Sequence, residues 1–248
     1  MTNLSVNVNK IAWLRNAREG GRPNLVELSQ TIINAGANGV TVHPRPDLRH
    51  IRPEDVKDLR TLTKLNSVEF NIEGNPFSES SSIYPGFMEL IQELRPEQCT
   101  FVPDQDHQLT SDHGWNLSNN NNKLKECIKK ANELNIRVSL FMDPNEQQIK
   151  EAKNLGADRV ELYTGPYADA FFNEDSRRKY LLSYSEAAQY SRSIGLGVNA
   201  GHDLDQVNLK EFLLKVDVDE VSIGQALISD ALEEGLEATV HNYLQICK

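Results

Sequence analysis

Apolar residues in this chain gather in eight short runs: Leu4–Val8, Gly39–His43, Val68–Glu73, Gln98–Pro103, Arg137–Asp143, Arg159–Tyr163, Gly197–His202 and Glu220–Gln225. Each run ends at or beside a polar or chemically capable group. Inside the runs apolar and polar positions alternate. Val6 and Val8 share one parity, and Ser5, Asn7 and Asn9 the other. Val40 and Val42 oppose Thr41 and His43; Val68, Phe70 and Ile72 oppose Glu69, Asn71 and Glu73. A period of two is that of a β-strand, whose successive side chains face opposite sides of the sheet. Between the runs lie segments long enough for helices. Asn24 suits the cap of a helix over Leu25–Ala35, and Pro53 the first turn of one over Pro53–Leu65. Further helices are expected over Tyr84–Leu94, Lys123–Leu134, Asn145–Leu155, Ser183–Ile194, Leu204–Lys215 and Ala226–Leu244. Gly36, Gly156 and Gly195 suit the left-handed position that ends a helix.

Eight strand–helix alternations predict an α/β fold, a single (β/α)8 TIM barrel. The 248 residues match the usual size of such a barrel, about 250. No linker divides residues 1–248, so one catalytic domain is expected. The apolar strand positions should meet the helices and the polar ones should line the barrel, giving it a polar interior. An unpaired buried polar group costs about 1–3 kcal/mol. Asn7, Asn71, Glu161 and Asn199 must therefore pair with one another, with water or with a ligand. Two insertions, 75–86 and 104–122, follow the third and fourth runs. A long loop at that end is either a lid or a variable surface segment.

In a barrel of this kind the carboxyl ends of the strands gather on one face, which holds the active site. Those ends here carry Asn7, Asn9, His43, Glu73, Asp104, Asp143, Glu161, His202 and Gln225. His43 and Glu73 end neighbouring strands, ~4.8 Å apart, and form a plausible acid/base pair; His202 stands opposite. A metal site built from His43, His202, Glu73 and Asp143 is a weaker alternative, because the first strand offers Asn7 and Asn9 where paired ligands would be wanted. Arg45, Arg49 and His50 share one loop that suits a phosphate; for Arg49, a solvated residue offset by Asp47 is the plainer reading. Gly201 and the segment from Ser222 to Ala226 suit a second phosphate, at the loops after strands seven and eight. Residues Leu14–Arg22 read as a mobile basic loop.

Composition narrows the classes. A net charge of −10 argues against a nucleic-acid partner. Cys99, Cys127 and Cys247 are odd in number and lack metal-like spacing, as expected of free thiols in a reducing compartment. No export signal and no apolar run of membrane length is visible, so a cytoplasmic location without membrane contact is expected.

The segments VNVNKIAWLRNAR (6–18), GANGVTVHPRPDLRHI (36–51), FNIEG (70–74), RVSLFMDP (137–144), DRVELYTGPYA (158–168), GLGVNAGHDL (195–204) and VSIGQALI (221–228) resemble the pyridoxine 5′-phosphate synthase family. The combination of TVH-x-R-x-D-x-RHI with NAGH carries the likeness; neither piece alone would suffice. The resemblance implies condensation of 3-amino-2-oxopropyl phosphate with 1-deoxy-D-xylulose 5-phosphate to pyridoxine 5′-phosphate, inorganic phosphate and water, without metal or other cofactor. It implies that His43 and Glu73 accept protons, that His202 donates one and that Glu161 stabilises the transition state. It places Asn7, Arg18, Asp203, Gly224 and Gln225 on the aminoketone phosphate, and Asn9, Lys10, Arg45, His50 and Thr110 on the xylulose phosphate. It further implies a homo-oligomer, an octamer built from dimers, with Arg18 reaching a neighbouring subunit's site. Many members carry Asp-His where this chain has Asn9-Lys10, and His where it has Gln225.

Two other readings compete. One is another phosphosugar barrel enzyme, an aldolase or isomerase; a Schiff-base aldolase would want a lysine near a strand end, for which Lys10 is the candidate. A non-catalytic phosphate-binding barrel would not need a carboxylate and two imidazoles around one pocket.

Overall fold

The structure is a computed structural model that describes residues 1–105 and 108–248; Asp106 and His107, within the second insertion, lie outside the described residues. Eight parallel strands, β1 (Asn3–Asn7), β2 (Gly39–Val42), β3 (Glu69–Gly74), β4 (Gln98–Phe101), β5 (Arg137–Met142), β6 (Arg159–Leu162), β7 (Gly197–Ala200) and β8 (Glu220–Ile223), close in chain order, with β8 returning to β1. The expected barrel is therefore present. The helices around it are α1 (Asn9–Asn16), α2 (Leu25–Asn34), α3 (Pro53–Asn66), α4 (Phe87–Leu94), α5 (Asn122–Glu133), α6 (Glu146–Leu155), α7 (Gly165–Ala170), α8 (Glu174–Ser193), α9 (Leu209–Lys215), α10 (Gln225–Glu234) and α11 (Leu236–Ile246). No helix among the described residues is long and apolar enough to cross a membrane.

The two parities divide as the alternation requires. Leu4, Val6, Val40, Val42, Phe70 and Ile72 are fully buried in the layer between strands and helices. The polar set fills the lumen. Low in the barrel, Gln98 donates to Glu220 at 3.3 Å, and Asn199 donates to Gln98 at 3.3 Å. Arg137 donates to the same Gln98 carbonyl at 3.0 Å, and Arg159 to Asn199 at 2.9 Å. Higher up, Ser5 and Thr41 share a 2.8 Å hydrogen bond, and Thr100 donates to Asn71 at 3.3 Å. Register sets these meetings: Thr41 lies beside Asn71, Glu73 beside Thr100, and Glu161 beside Asn199. Partners come from the adjacent strand or, as between Gln98 and Glu220, from across the lumen, and such pairing keeps a polar core tolerable.

Several helix ends follow the sequence signals. The Asn24 side chain accepts from the Val26 and Glu27 amides at 3.1 and 3.3 Å, and Pro53 opens α3. Other expectations are corrected. Asn9 does not extend the first strand: it opens α1, which takes in Leu14–Asn16 of the expected loop. Arg15 is fixed there by Asp55 and by the His50 carbonyl. The helix expected over Ser183–Ile194 begins nine residues earlier, at Glu174. That expected over Leu204–Lys215 begins at Leu209, because the Asp205 carboxylate first caps a turn through the Val207 and Asn208 amides. The last helix is two, split at Gly235, whose φ of +86° is a left-handed conformation.

Candidate active site

At the carboxyl end of the barrel lies a cavity of about 300 Å³. Among the residues the sequence singles out, Asn7, Asn9, Lys10, His43, Arg45, His50, Glu73, Thr110, Glu161, His202, Asp203, Gly224 and Gln225 all line it. Arg18 does not: it is exposed beyond the end of α1. Asp143 is exposed too and lies outside the cavity, so the four-residue metal set is not assembled here.

His43 and Glu73 face each other from β2 and β3, with Nδ1 3.9 Å from Oε2. Asn7 and Asn71 each donate to the Glu73 carboxyl at 3.4 Å. Both acid/base groups are buried, and burial disfavours charge. Burial first, then Arg45, holds His43 well below the ordinary imidazole range. Burial, then the Asp104 and Glu220 carboxyls, pushes Glu73 up to about 8. Glu161 is raised well above the carboxylate range, by burial and then by Glu73. At neutral pH the resting site therefore holds a neutral imidazole beside protonated carboxyls. The Glu161 Oε2 is buried without a hydrogen-bond partner among the described residues. An acceptor or donor from outside the chain would satisfy it.

Two corners of the cavity suit anions. At the first, α1 begins behind Val8, which offers no side-chain cap, although the Asn9 amide donates to Asn7 Oδ1 at 3.1 Å. Lys10, Arg45 and His50 surround that end. The Ile51 amide donates to His50 Nδ1 at 2.9 Å, which leaves Nε2 to carry the ring proton as a donor. Burial, followed by Arg45, Arg49 and Lys10, lowers His50 to about 3. Lys10 is lowered by burial and then by Arg45 and Arg49; its ammonium sits 4.6 Å from the Trp13 ring centre. At the second corner, α10 begins behind Gly224, again without a side-chain cap. Free amides at a helix start attract an anion. Gly201 borders this corner, and a Cβ there would meet the Ser222 carbonyl oxygen at 2.1 Å, so only glycine fits.

Leu109, Thr110 and Ser111, beyond β4, line the cavity. Arg49 donates to the Gln108 and Leu109 carbonyls at 2.8 and 3.3 Å, besides pairing with Asp47. Thr110 Oγ1 lies 3.0 Å from His202 Nε2. Ser111 donates to Asp104 Oδ2 at 2.7 Å, and Arg45 is ion-paired to that same oxygen. Asp104, which the sequence marks as a strand-end residue without a role, is thus the anchor of both the arginine and the loop. Trp13, Phe141 and Ser111 also line the cavity and escape sequence reasoning. Their neighbours in the chain give no signal; Ser111 reaches the site only because its loop turns back over the barrel.

Fold and site together define a closed barrel with one cavity that holds His43, Glu73, Glu161 and His202 and has two corners suited to anions. Residues 4–248 match the family described as Pyridoxal phosphate biosynthesis protein PdxJ. The chain is 54% identical over 246 residues to a pyridoxine 5′-phosphate synthase of Xanthomonas campestris pv. campestris (strain B100), covering 99% of this chain and 96% of that one. It is 53% identical over 248 residues to a pyridoxine 5′-phosphate synthase of Xanthomonas axonopodis pv. citri (strain 306), covering 100% and 97%. A thiamine phosphate pyrophosphorylase from Pyrococcus furiosus has a similar fold, with a TM-score of 0.62 at 15% identity over 99% of this chain and 95% of that one. The chain belongs to the pyridoxine 5′-phosphate synthase family.

Proposed function

We propose that the cavity condenses 3-amino-2-oxopropyl phosphate with 1-deoxy-D-xylulose 5-phosphate, releasing inorganic phosphate and water and giving pyridoxine 5′-phosphate. The observation that carries this reading is the convergence of His43, Glu73, Glu161 and His202 on one cavity between two anion corners. The corner of Lys10, Arg45, His50, Asn9 and Thr110 takes the xylulose phosphate. The corner of Asn7, Asp203, Gly224 and Gln225 takes the aminoketone phosphate, and Arg18 completes it from a neighbouring subunit of an octamer built from dimers.

The chemistry follows from the charge states. The substrate amine attacks the xylulose ketone, and the resulting Schiff base must lose and gain protons with no change of oxidation state. Acid/base side chains suffice for that. Neutral His43 is a ready base. Glu73 gives up its proton when the cationic amine enters, because an adjacent positive charge favours the carboxylate, and it then accepts one from substrate. His202 supplies a proton to a departing oxygen. Glu161, kept neutral, donates a hydrogen bond where negative charge develops. Given both substrates and no added cofactor, the purified protein should release inorganic phosphate and a fluorescent pyridine. Binding of both without turnover would support a phosphate-binding barrel instead.

One observation favours the lysine-based alternative: the lowered proton affinity of Lys10. Borohydride trapping of substrate on the protein, abolished in Lys10→Ala, would support that aldolase-like reading. We further read residues 1–248 as one catalytic domain acting in the cytoplasm, consistent with three free cysteines.

A further inference from the structure

Asp203 is a residue with two costs. Its φ of +65° lies in the left-handed region that favours glycine. Its carboxylate also stands at the corner assigned to an anion, where a negative charge repels the ligand. The backbone amide alone would serve a phosphate there, and glycine would provide that amide without strain or charge. The side chain therefore needs its own explanation.

Its contact supplies one. Asp203 Oδ2 lies 2.8 Å from His202 Nδ1. An ionised carboxylate only accepts, so Nδ1 must carry the proton. The hydrogen bond from His202 keeps the Asp203 carboxyl below the ordinary range. The rest of the ring is flanked by several neighbours. Thr110 meets Nε2 at 3.0 Å. Tyr163 stands edge-on at 5.3 Å and Phe141 at 6.0 Å. The Thr164 hydroxyl donates to the His202 carbonyl. Across the cavity stands His43, whose proton affinity is depressed by burial and then Arg45, with His202 the least of the contributors. Among these neighbours, Asp203 is the group that fixes which nitrogen of His202 holds the proton.

We propose that the Asp203 side chain is a positioning residue that holds His202 with Nδ1 protonated, so that the exchangeable proton resides on Nε2, the nitrogen beside Thr110. In the imidazolium both nitrogens are protonated and Asp203 balances the charge. Transfer of the Nε2 proton to a substrate oxygen leaves its electron pair on Nε2 and the Nδ1–H in place. The ring is then ready to take the next proton at the same atom. Asp203 stays ionised throughout. This inference rests on the ring-closing function proposed above.

The test uses Asp203→Gly and Asp203→Asn in the full-length enzyme. Both residues tolerate the left-handed backbone, and both keep the backbone amide. Loss of the tautomer lock should lower kcat by ~10-fold or more, the scale of a misplaced general acid. KM for the aminoketone phosphate should stay equal or fall, because a nearby negative charge has gone. Solid-state ¹⁵N NMR of histidine-labelled protein, with His202 assigned by difference from His202→Gln, gives the second readout. In the wild type the neutral ring should show protonated Nδ1 and unprotonated Nε2; in the variants the two forms should mix or reverse. An unchanged tautomer in both variants, or a raised KM with kcat retained, overturns the proposal. The NMR result needs no turnover. A tautomer change in a protein that does not make the pyridine product would sink the ring-closing reading and leave the positioning contact standing.

Discussion

Burial does most of the chemical tuning at the level of single residues. His43 and Glu73 are 7% and 9% exposed, and that enclosure keeps the imidazole neutral and the carboxyl protonated. A group so placed cannot be replaced by solvent. His43→Asn and Glu73→Gln should each cut kcat by ~10²-fold or more while leaving the fold intact, as expected for acid/base groups. Phosphate release measured at saturating substrates checks this, and near-normal rates in both variants would defeat the assignment. These residues were legible because each stands at or beside the end of an alternating run, where the barrel geometry fixes its direction. Trp13 was hidden because it lies in α1, a helix that no pattern in the sequence marks. The contact of Thr110 with His202 spans 92 positions, and no local pattern encodes it.

Strands were more legible than helices, for a physical reason. All eight strands sit between two buried surfaces, so their apolar parity is strict. The start of α8, Glu174 to Lys179, is charged and largely exposed, and its helicity comes instead from the Asn173 cap, whose side chain accepts from the Ser176 amide at 3.0 Å. The loop after β4 was open between lid and surface segment; its described residues reach both His202 and Asp104. Ser111→Ala removes a hydrogen bond to a buried carboxylate, and such bonds contribute ~1.5–3 kcal/mol. We expect ~10-fold lower kcat/KM and faster hydrogen exchange at residues 108–111, measured by mass spectrometry; unchanged exchange would show that the loop is held elsewhere. Gly201→Ala should act differently. Its Cβ meets backbone at 2.1 Å, which cannot yield as a side chain would. The expected loss is ~2 kcal/mol or more of stability, read in urea unfolding, and wild-type stability would contradict the close packing of β7 on β8.

The barrel as a whole encloses titratable carboxyls, and these shape its response to pH. Glu73 and Glu220 are each raised from 4.5 to about 8, chiefly by burial. Between those values the folded chain keeps protons that the unfolded chain has released, so stability falls as the pH rises through that window. Glu220→Gln imitates the protonated acid: its carbonyl still accepts from Gln98 and Asn199, and its amide can donate to Glu69. Its unfolding temperature at pH 8.5 should exceed the wild type's by roughly 3 °C, the effect of about 1 kcal/mol in a chain this long, with the gap closing at pH 5. A gap independent of pH would assign the gain to packing. Assembly poses the remaining question, because Arg18 is absent from its own chain's cavity although the proposed chemistry uses it. If it acts in the neighbouring site, Arg18→Ala and His43→Asn damage different sites in a mixed dimer. The Arg18→Ala chain keeps a sound cavity and receives Arg18 from its partner, while the other cavity lacks both. Random pairing in a symmetric dimer makes half the dimers mixed, each with one working site, so co-expression should restore about one quarter of the wild-type rate. The separately purified variants should stay inactive. No recovery on mixing would mean that Arg18 serves its own cavity, or none.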